Sequence, residues 1–286
     1  MRQMLMLIGL LGFVLSPLAG QNGGRIAFLQ FPKIKATTML VVEYEGQPQY
    51  NETIRQAVTQ YWTLTPYKFI SAAELTDYVK DDTYSMLVLD STEKARHGVE
   101  RTDIIKRNHL ALYLCGKGLD MRNYGGKAAL TQFQFRDAYA TEEYLYKLPG
   151  LVQAMHDYLL FLNTQKITED NHDKKYEAWR NRDVATLANV ALYVVTHDLP
   201  EDLRDETQLR SWYQYDLQLV TPDEVATALA QQKPDIAFLH IAPNVTDLYI
   251  ISAQGGKVLY HATPTIRGQF TKQDWVRLAA RIKAAN

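Results

Sequence analysis

The sequence predicts an α/β protein of two tandem β-α-β-α-β-β-β-α units, each a mixed sheet with helices packed on it. Three observations carry this reading. Short apolar, β-branched runs alternate with helical patterns along the chain, which is how strand–helix–strand units read. The element order between residues 38 and 165 returns between 191 and 285. Residues 61–89 also lie over 211–239 without gaps, at an offset of 150, with Trp62 on Trp212, Glu74 on Glu224 and Leu89 on Leu239.

In the first half, Thr38 to Glu43 (TMLVVE) is a buried strand. Asn51 reads as the cap of a helix whose apolar face is Ile54, Ala57, Val58, Tyr61 and Trp62. Pro66 stops it, and Tyr67 to Ile70 is a short strand. Ser71-x-x-Glu74 is a capping box opening a helix with Leu75 and Val79 inward. Tyr84 to Leu89 is a second buried strand, Asp90 to Asn108 a polar loop or short helix, and Leu110 to Cys115 a further strand. Thr131 to Phe135 alternates like an edge strand. Thr141 to Gln165 reads as a long helix broken or kinked at Pro149.

The second half repeats the order. Ala191 to Thr196, Leu217 to Val220 and Ile236 to Ile241 are strands, with a helix over Leu203 to Tyr213 and a capping box at Thr221-x-x-Glu224. Leu248 to Ser252 and Val258 to Tyr260 form a hairpin across Gln254-Gly255-Gly256. Thr271-x-x-Asp274 opens the last helix, with Trp275, Leu278, Ala279 and Ile282 inward. In each half the first three strands are joined by helices and should be parallel, and the next two can only extend the sheet antiparallel.

The ends and joints of these units set the domain plan. Arg2, the apolar run Met4 to Leu15, the Ser16-Pro17 break and the small residues Ala19-Gly20 form the three parts of a secretory signal. The run has 12 residues, against the roughly 20 a bilayer span needs. Residues 1–20 are therefore read as a signal peptide, 21–166 as the first unit, 167–183 as a charged linker or helix, and 184–286 as the second unit. The mature chain then carries no transmembrane segment and is periplasmic or secreted.

Composition excludes several functions. The chain has 286 residues, 47% apolar, with a net charge of -1. That is no electrostatic footprint for nucleic acid. A single cysteine, Cys115, cannot make a dithiol site or a zinc ribbon, and within an apolar strand it reads as an inert small hydrophobe. Gly125-Gly126-Lys127 is followed by Ala128 and lacks the P-loop spacing. No cofactor motif is present, and no H-E-x-x-H occurs among the seven histidines. Glu169 to Asp173 is a dense group of possible cation ligands, but in a linker acidic residues are ordinarily solvated.

Two sets of residues remain. His197-Asp198 and His240 lie at predicted strand ends, where α/β sites tend to form. Trp62 and Tyr67, with Trp212 and Tyr215, flank the short second strand of each half as packing or as a partner surface.

The stretch Asn51-Glu52-Thr53, Tyr61-Trp62, Thr65 to Ser71 and Tyr84 to Leu89 resembles uncharacterised exported tandem α/β proteins of Bacteroidota-type bacteria. The likeness covers mainly residues 40–90, with a fainter echo at 190–240. It implies a periplasmic or secreted setting and brings no catalytic residues. By element order the units are also similar to the amino-terminal domain of the TolB-type envelope assembly proteins. The expected function is a non-catalytic exported binding or assembly module of the cell envelope with a protein partner. The alternatives are an exported hydrolase with a site near His197 and His240, and a solute-binding protein using the cleft between the units.

Overall fold

A computed structural model describes residues 30–97, 102–117, 129–135, 142–164, 172–242, 247–266 and 269–286. The segment read as an export signal, Gly118 to Lys127 and Glu169 to Asn171 lie outside them. The first unit contains β1 (Thr38–Glu43), α1 (Pro48–Tyr61), β2 (Tyr67–Ser71), α2 (Leu75–Tyr78), β3 (Tyr84–His97), β4 (Thr102–Leu114) and β5 (Thr131–Phe135). A 3-10 segment over Glu142–Lys147 leads into α3 (Leu148–Thr164). α4 (His172–Arg180) follows. The second unit contains β6 (Ala191–Val195), α5 (Glu206–Trp212), β7 (Leu217–Val220), α6 (Pro222–Ala230), β8 (Ile236–Ile241), β9 (Leu248–Ser252), β10 (Val258–Ala262) and α7 (Lys272–Ala285).

The two sheets have one topology. The first runs β2-β1-β3-β4-β5 and the second β7-β6-β8-β9-β10. The first strand of each unit, β1 or β6, is parallel to both its neighbours, and the last two strands are antiparallel. β1 can lie inside the sheet because Met39, Leu40, Val41 and Val42 are apolar on both faces, and all four are fully buried.

The gapless offset holds only as far as the second strand. Leu40 stands beside Lys68 and Met86, whereas Tyr193 stands beside Gln218 and Phe238. Lys68 and Gln218 are 150 residues apart, but Met86 and Phe238 are 152 apart. The pairing of Met86 with Ile236 and Leu89 with Leu239 is thus two residues out of step. α6 takes up the difference, with nine residues against four in α2. An even slip returns every side chain to its own face, so the hydrophobic pattern survives it.

The layers follow from which face each helix covers. α2 packs outside the first sheet, with Leu75 against Leu40, Val42 and Met86. α1 and α3 cover its other face, and the second sheet lies beyond them: Met39, Val41, Ile54, Leu151 and Met155 share one core with Val225, Leu229, Phe238 and Ile251. α5 and α7 close the far side over Leu192, Val194 and Leu239, with Trp275 of α7 buried among them. α3 is therefore interior, buried from Leu148 to Leu162 on nearly every side, while the matching α7 buries only Asp274, Trp275, Leu278 and Ile282.

Several local expectations are corrected. Asn51 is not the cap of α1, which starts at Pro48. Its amide instead clasps the backbone of Tyr44, accepting from its N–H (2.9 Å) and donating to its carbonyl (2.8 Å). Residues 90–97 and 102–108 are strand, not loop or helix: β3 and β4 continue as a long antiparallel pair from Ser85–Leu114 out to His97–Thr102. The polar sequence of this stretch carries no apolar period that would mark it as strand. Pro149 does not kink a long helix. It is the second residue of α3, where its missing N–H is tolerated, and the preceding turn is 3-10. The capping boxes at Ser71, Thr221 and Thr271 form as expected.

The stretch 167–183 contains a docked helix. Trp179 of α4 is buried, its ring 4.9 Å from Tyr158 of α3, and its indole N–H donates to Asp157 (3.3 Å). Arg182 donates from Nη2 to both oxygens of the same carboxylate at 2.8 Å.

Candidate functional site

The aromatic residues singled out in sequence do not form one surface. Trp62 is enclosed: its indole N–H donates to Thr65 (3.0 Å), and its ring meets the edge of His156 at 5.8 Å within the shared core. It is a packing residue, not a partner-facing one. Tyr67 is half-buried on β2, edge-on to Phe69 at 5.7 Å, with the Arg55 guanidinium 4.1 Å above the Phe69 ring. In the second unit, Trp212 is half-buried under the Lys272 ammonium at 5.4 Å, and Tyr215 lies 5.5 Å from Tyr213. These two flank the far core, so the two aromatic groups belong to different layers.

His197, Asp198 and His240 do come together. β6 ends at Val195 and turns directly through Thr196-His197-Asp198, while His240 lies near the end of the parallel neighbour β8. This is the carboxyl end of the sheet between the strands where the chain changes direction, the usual place for an α/β site. Lys147, from the turn before α3 of the first unit, fills it. Its ammonium makes a short ion pair with Asp198, whose carboxylate also accepts from the Tyr146 hydroxyl at 3.1 Å. The His197 ring lies 3.5 Å from the other carboxylate oxygen.

The inner part of the cluster is enclosed, while the His197 side chain is 39% exposed at its edge. The Lys147 and Asp198 side chains are 1% and 2% exposed, and His240 is as deeply enclosed. Burial lowers the Lys147 pKa, and Asp198 opposes that shift. Burial, with the nearby Lys147 charge, holds the His240 imidazole well below its usual range and hence neutral; the Gln134 backbone pulls weakly the other way. His240 packs against Phe133 of β5 at 5.8 Å. The arrangement therefore ties the two units together electrostatically. In the first sheet the corresponding position is filled by Tyr44, whose hydroxyl donates to the Leu89 carbonyl (2.9 Å) and accepts from the Leu89 N–H (3.0 Å).

Lys147 was not legible in the sequence as a site residue. Its only signal is a lysine set among Leu145, Tyr146, Leu148 and Pro149, which nothing in the local pattern separates from a surface lysine. Among the described residues no group of three metal-ligating side chains occurs.

Cys115 behaves as a core residue. It is buried beside Tyr113 and Ala129, and desolvation, with the Asp81 charge, pushes its thiol up to about 12. We expect a maleimide to label it only on unfolding, and Cys115→Ala to change stability by no more than about 1 kcal/mol. Rapid labelling of the native protein would contradict this.

No family model matches the chain, and neither does any curated protein or solved structure.

Proposed function

We propose that the chain is an exported, non-catalytic binding or assembly module of the cell envelope, acting through a protein partner. The observation that carries this reading is the burial of the Asp198–His240–Lys147 group, with His197 at its half-open edge. Imidazole, carboxylate and amine converge there, yet the joint between the units encloses them, which argues against a hydrolase. A shared apolar core fills the space between the sheets, which argues against a solute cleft there. The export reading rests on Arg2 and the Met4–Leu15 run, and no helix of the described residues is long and apolar enough to cross a membrane. The matching strand orders, together with the capping boxes at Ser71 and Thr221, support an origin by tandem duplication.

The partner surface in this reading is a sheet edge. β2 and β7 are terminal strands. Each carries half-buried aromatic residues alongside, Tyr67 and Phe69 on one and Trp212 and Tyr215 near the other. An extended peptide can add to such an edge through main-chain hydrogen bonds. A photoreactive residue at Lys68 or Gln218, on these edges, should capture one discrete envelope protein in cells. The same residue at Glu52, exposed on α1, should not. Equal capture from all three positions, or none from either edge, would overturn the proposal.

A further inference from the structure

The matching terminal strands β2 and β7 differ in charge, although their backbones are presented alike. On β2 the direction of the backbone follows from its pairing with β1. Met39 donates to the Pro66 carbonyl at 2.8 Å, Ala72 donates to the Glu43 carbonyl at 2.9 Å, and Met39 stands beside Tyr67 in the parallel register. A strand in such a pair spends alternate residues on its neighbour. Lys68 and Ile70 therefore turn their N–H and C=O inward to β1, and Tyr67, Phe69 and Ser71 turn theirs outward. The Ser71 N–H is already taken, donating to the Glu74 carboxylate at 2.8 Å. Tyr67 and Phe69 are left facing outward, and among the described residues no strand lies beyond them.

Side chains alternate across this free stretch. Tyr67 and Phe69 are half-buried against the shared core, and the Arg55 guanidinium above Phe69 is compensated by Glu43 at 2.6 Å. Lys68 takes the other side, its ammonium 3.8 Å over the Tyr78 ring and 5.1 Å from that of Tyr84. Those two rings meet at 5.1 Å and hold the cation at the edge. Among the described residues no carboxylate pairs with it, and the nearby Glu74 is spent on the Ser71 N–H and hydroxyl. β7 has the opposite character. Leu192 donates to the Asp216 carbonyl at 2.9 Å, so Leu217 and Leu219 face outward. The residue matching Lys68 is Gln218, its amide on the Asp216 carboxylate at 3.2 Å, and Glu224 closes the far end at Thr221.

We propose that β2 takes an extended segment of the partner protein in which one acidic residue is flanked by two apolar ones. The inference rests on the sheet-edge reading above and adds the chemistry of the partner. The outward backbone groups of Tyr67 and Phe69 pair with the main chain of the segment. Its apolar residues lie beside Tyr67 and Phe69, and its carboxylate lies beside Lys68, where opposite charges on neighbouring strands attract. An apolar–acidic–apolar pattern reads the same in both chain directions, so parallel and antiparallel addition share it. A second copy of this chain fits poorly, because pairing about the middle of the free stretch would set Lys68 against Lys68. β7 does not share the preference, since Asp216 and Glu224 stand at its two ends.

Fluorescence anisotropy of the purified protein with a labelled Ser-Thr-Val-Glu-Val-Thr-Ser peptide, against the same peptide with glutamine for glutamate, tests this. The glutamate peptide should bind saturably, about three-fold tighter than its glutamine twin at low salt, and the margin should shrink as salt screens the pair. Methylating the three central amides should abolish binding, because it removes the main-chain donors. Lys68→Gln should erase the preference while leaving the affinity for the glutamine peptide and the unfolding curve unchanged. No saturable binding of the glutamate peptide, equal affinity for the two peptides, or a preference that survives Lys68→Gln would overturn the inference. Capture in cells through position 68 tests the edge reading by itself, because replacing that side chain keeps the main-chain bonds. Capture there alongside equal peptide affinities would overturn the acidic preference and leave the edge reading standing.

Discussion

Replacing Asp198 with asparagine is expected to cost about 3–5 kcal/mol, the usual penalty for stranding one partner of a buried ion pair. The geometry leaves little relief. Lys147 is 1% exposed, and its ammonium pairs with the Asp198 carboxylate. The substitution leaves a desolvated cation beside the neutral ring of His240. The pH dependence has a definite sign. Burial already lowers the Lys147 pKa in the folded protein, and Asp198 is the group opposing that. Without it the folded pKa falls further, the unfolded chain binds the extra proton, and stability rises with pH over a wider window. The deficit should thus be greatest at neutral and lower pH and shrink toward alkaline pH, where a neutral amine tolerates burial. Substituting both partners with apolar residues, as Lys147→Met with Asp198→Leu, should recover most of the loss. Urea unfolding of the single and double variants at two pH values measures this. A single variant within about 1 kcal/mol of the parent would mean that the joint is wet.

The second large effect is expected at Gly256. It stands at φ +62° in the β9–β10 turn, where that turn presses on α3. A Cβ there would fall 2.2 Å from Gln153 Cβ, 2.6 Å from its backbone carbon and 2.7 Å from the Ala154 nitrogen. The obstruction is helix backbone, and α3 cannot retreat because it is packed between both sheets. Left-handed strain adds about 1–2 kcal/mol and overpacking about 1–3 kcal/mol, so Gly256→Ala should lose about 2–5 kcal/mol. Its neighbour is a built-in control. Gly255 has φ +69° but nothing within 4 Å of its would-be Cβ, so Gly255→Ala should cost only the strain. Thermal unfolding separates them, and equal losses would show that the turn does not bear on the helix.

Much of this architecture is legible in the residues. Strand–helix alternation, the capping boxes and the parallel-then-antiparallel order are local or near-local properties, and each is written in a few side chains. The β3–β4 extension is not, because its polar residues carry no apolar period and its pairing depends on a partner strand. The joint between the units is illegible for a different reason. Lys147 and Asp198 are 51 residues apart, and the close approaches of Gly150 to Phe238 and of Gly256 to Gln153 join still more distant segments. Charge pairing and glycine clearance at such separations leave no periodic trace.

The position of α3 bears on how interchangeable the two halves are. It is continuous in sequence with the first sheet, yet it is a floor for the second, with Gly150 cut away beneath Phe238 and Leu229. A chimera that exchanged either half for a relative's would carry α3 into a bed shaped for another helix. The apolar side it turns to the second sheet would become open surface in any fragment ending near residue 165, a sticky patch rather than a domain face. The tandem arrangement is modular in its element order and indivisible in its core. Recombination between the halves is constrained less by the sheets themselves than by this single helix, which must satisfy both at once.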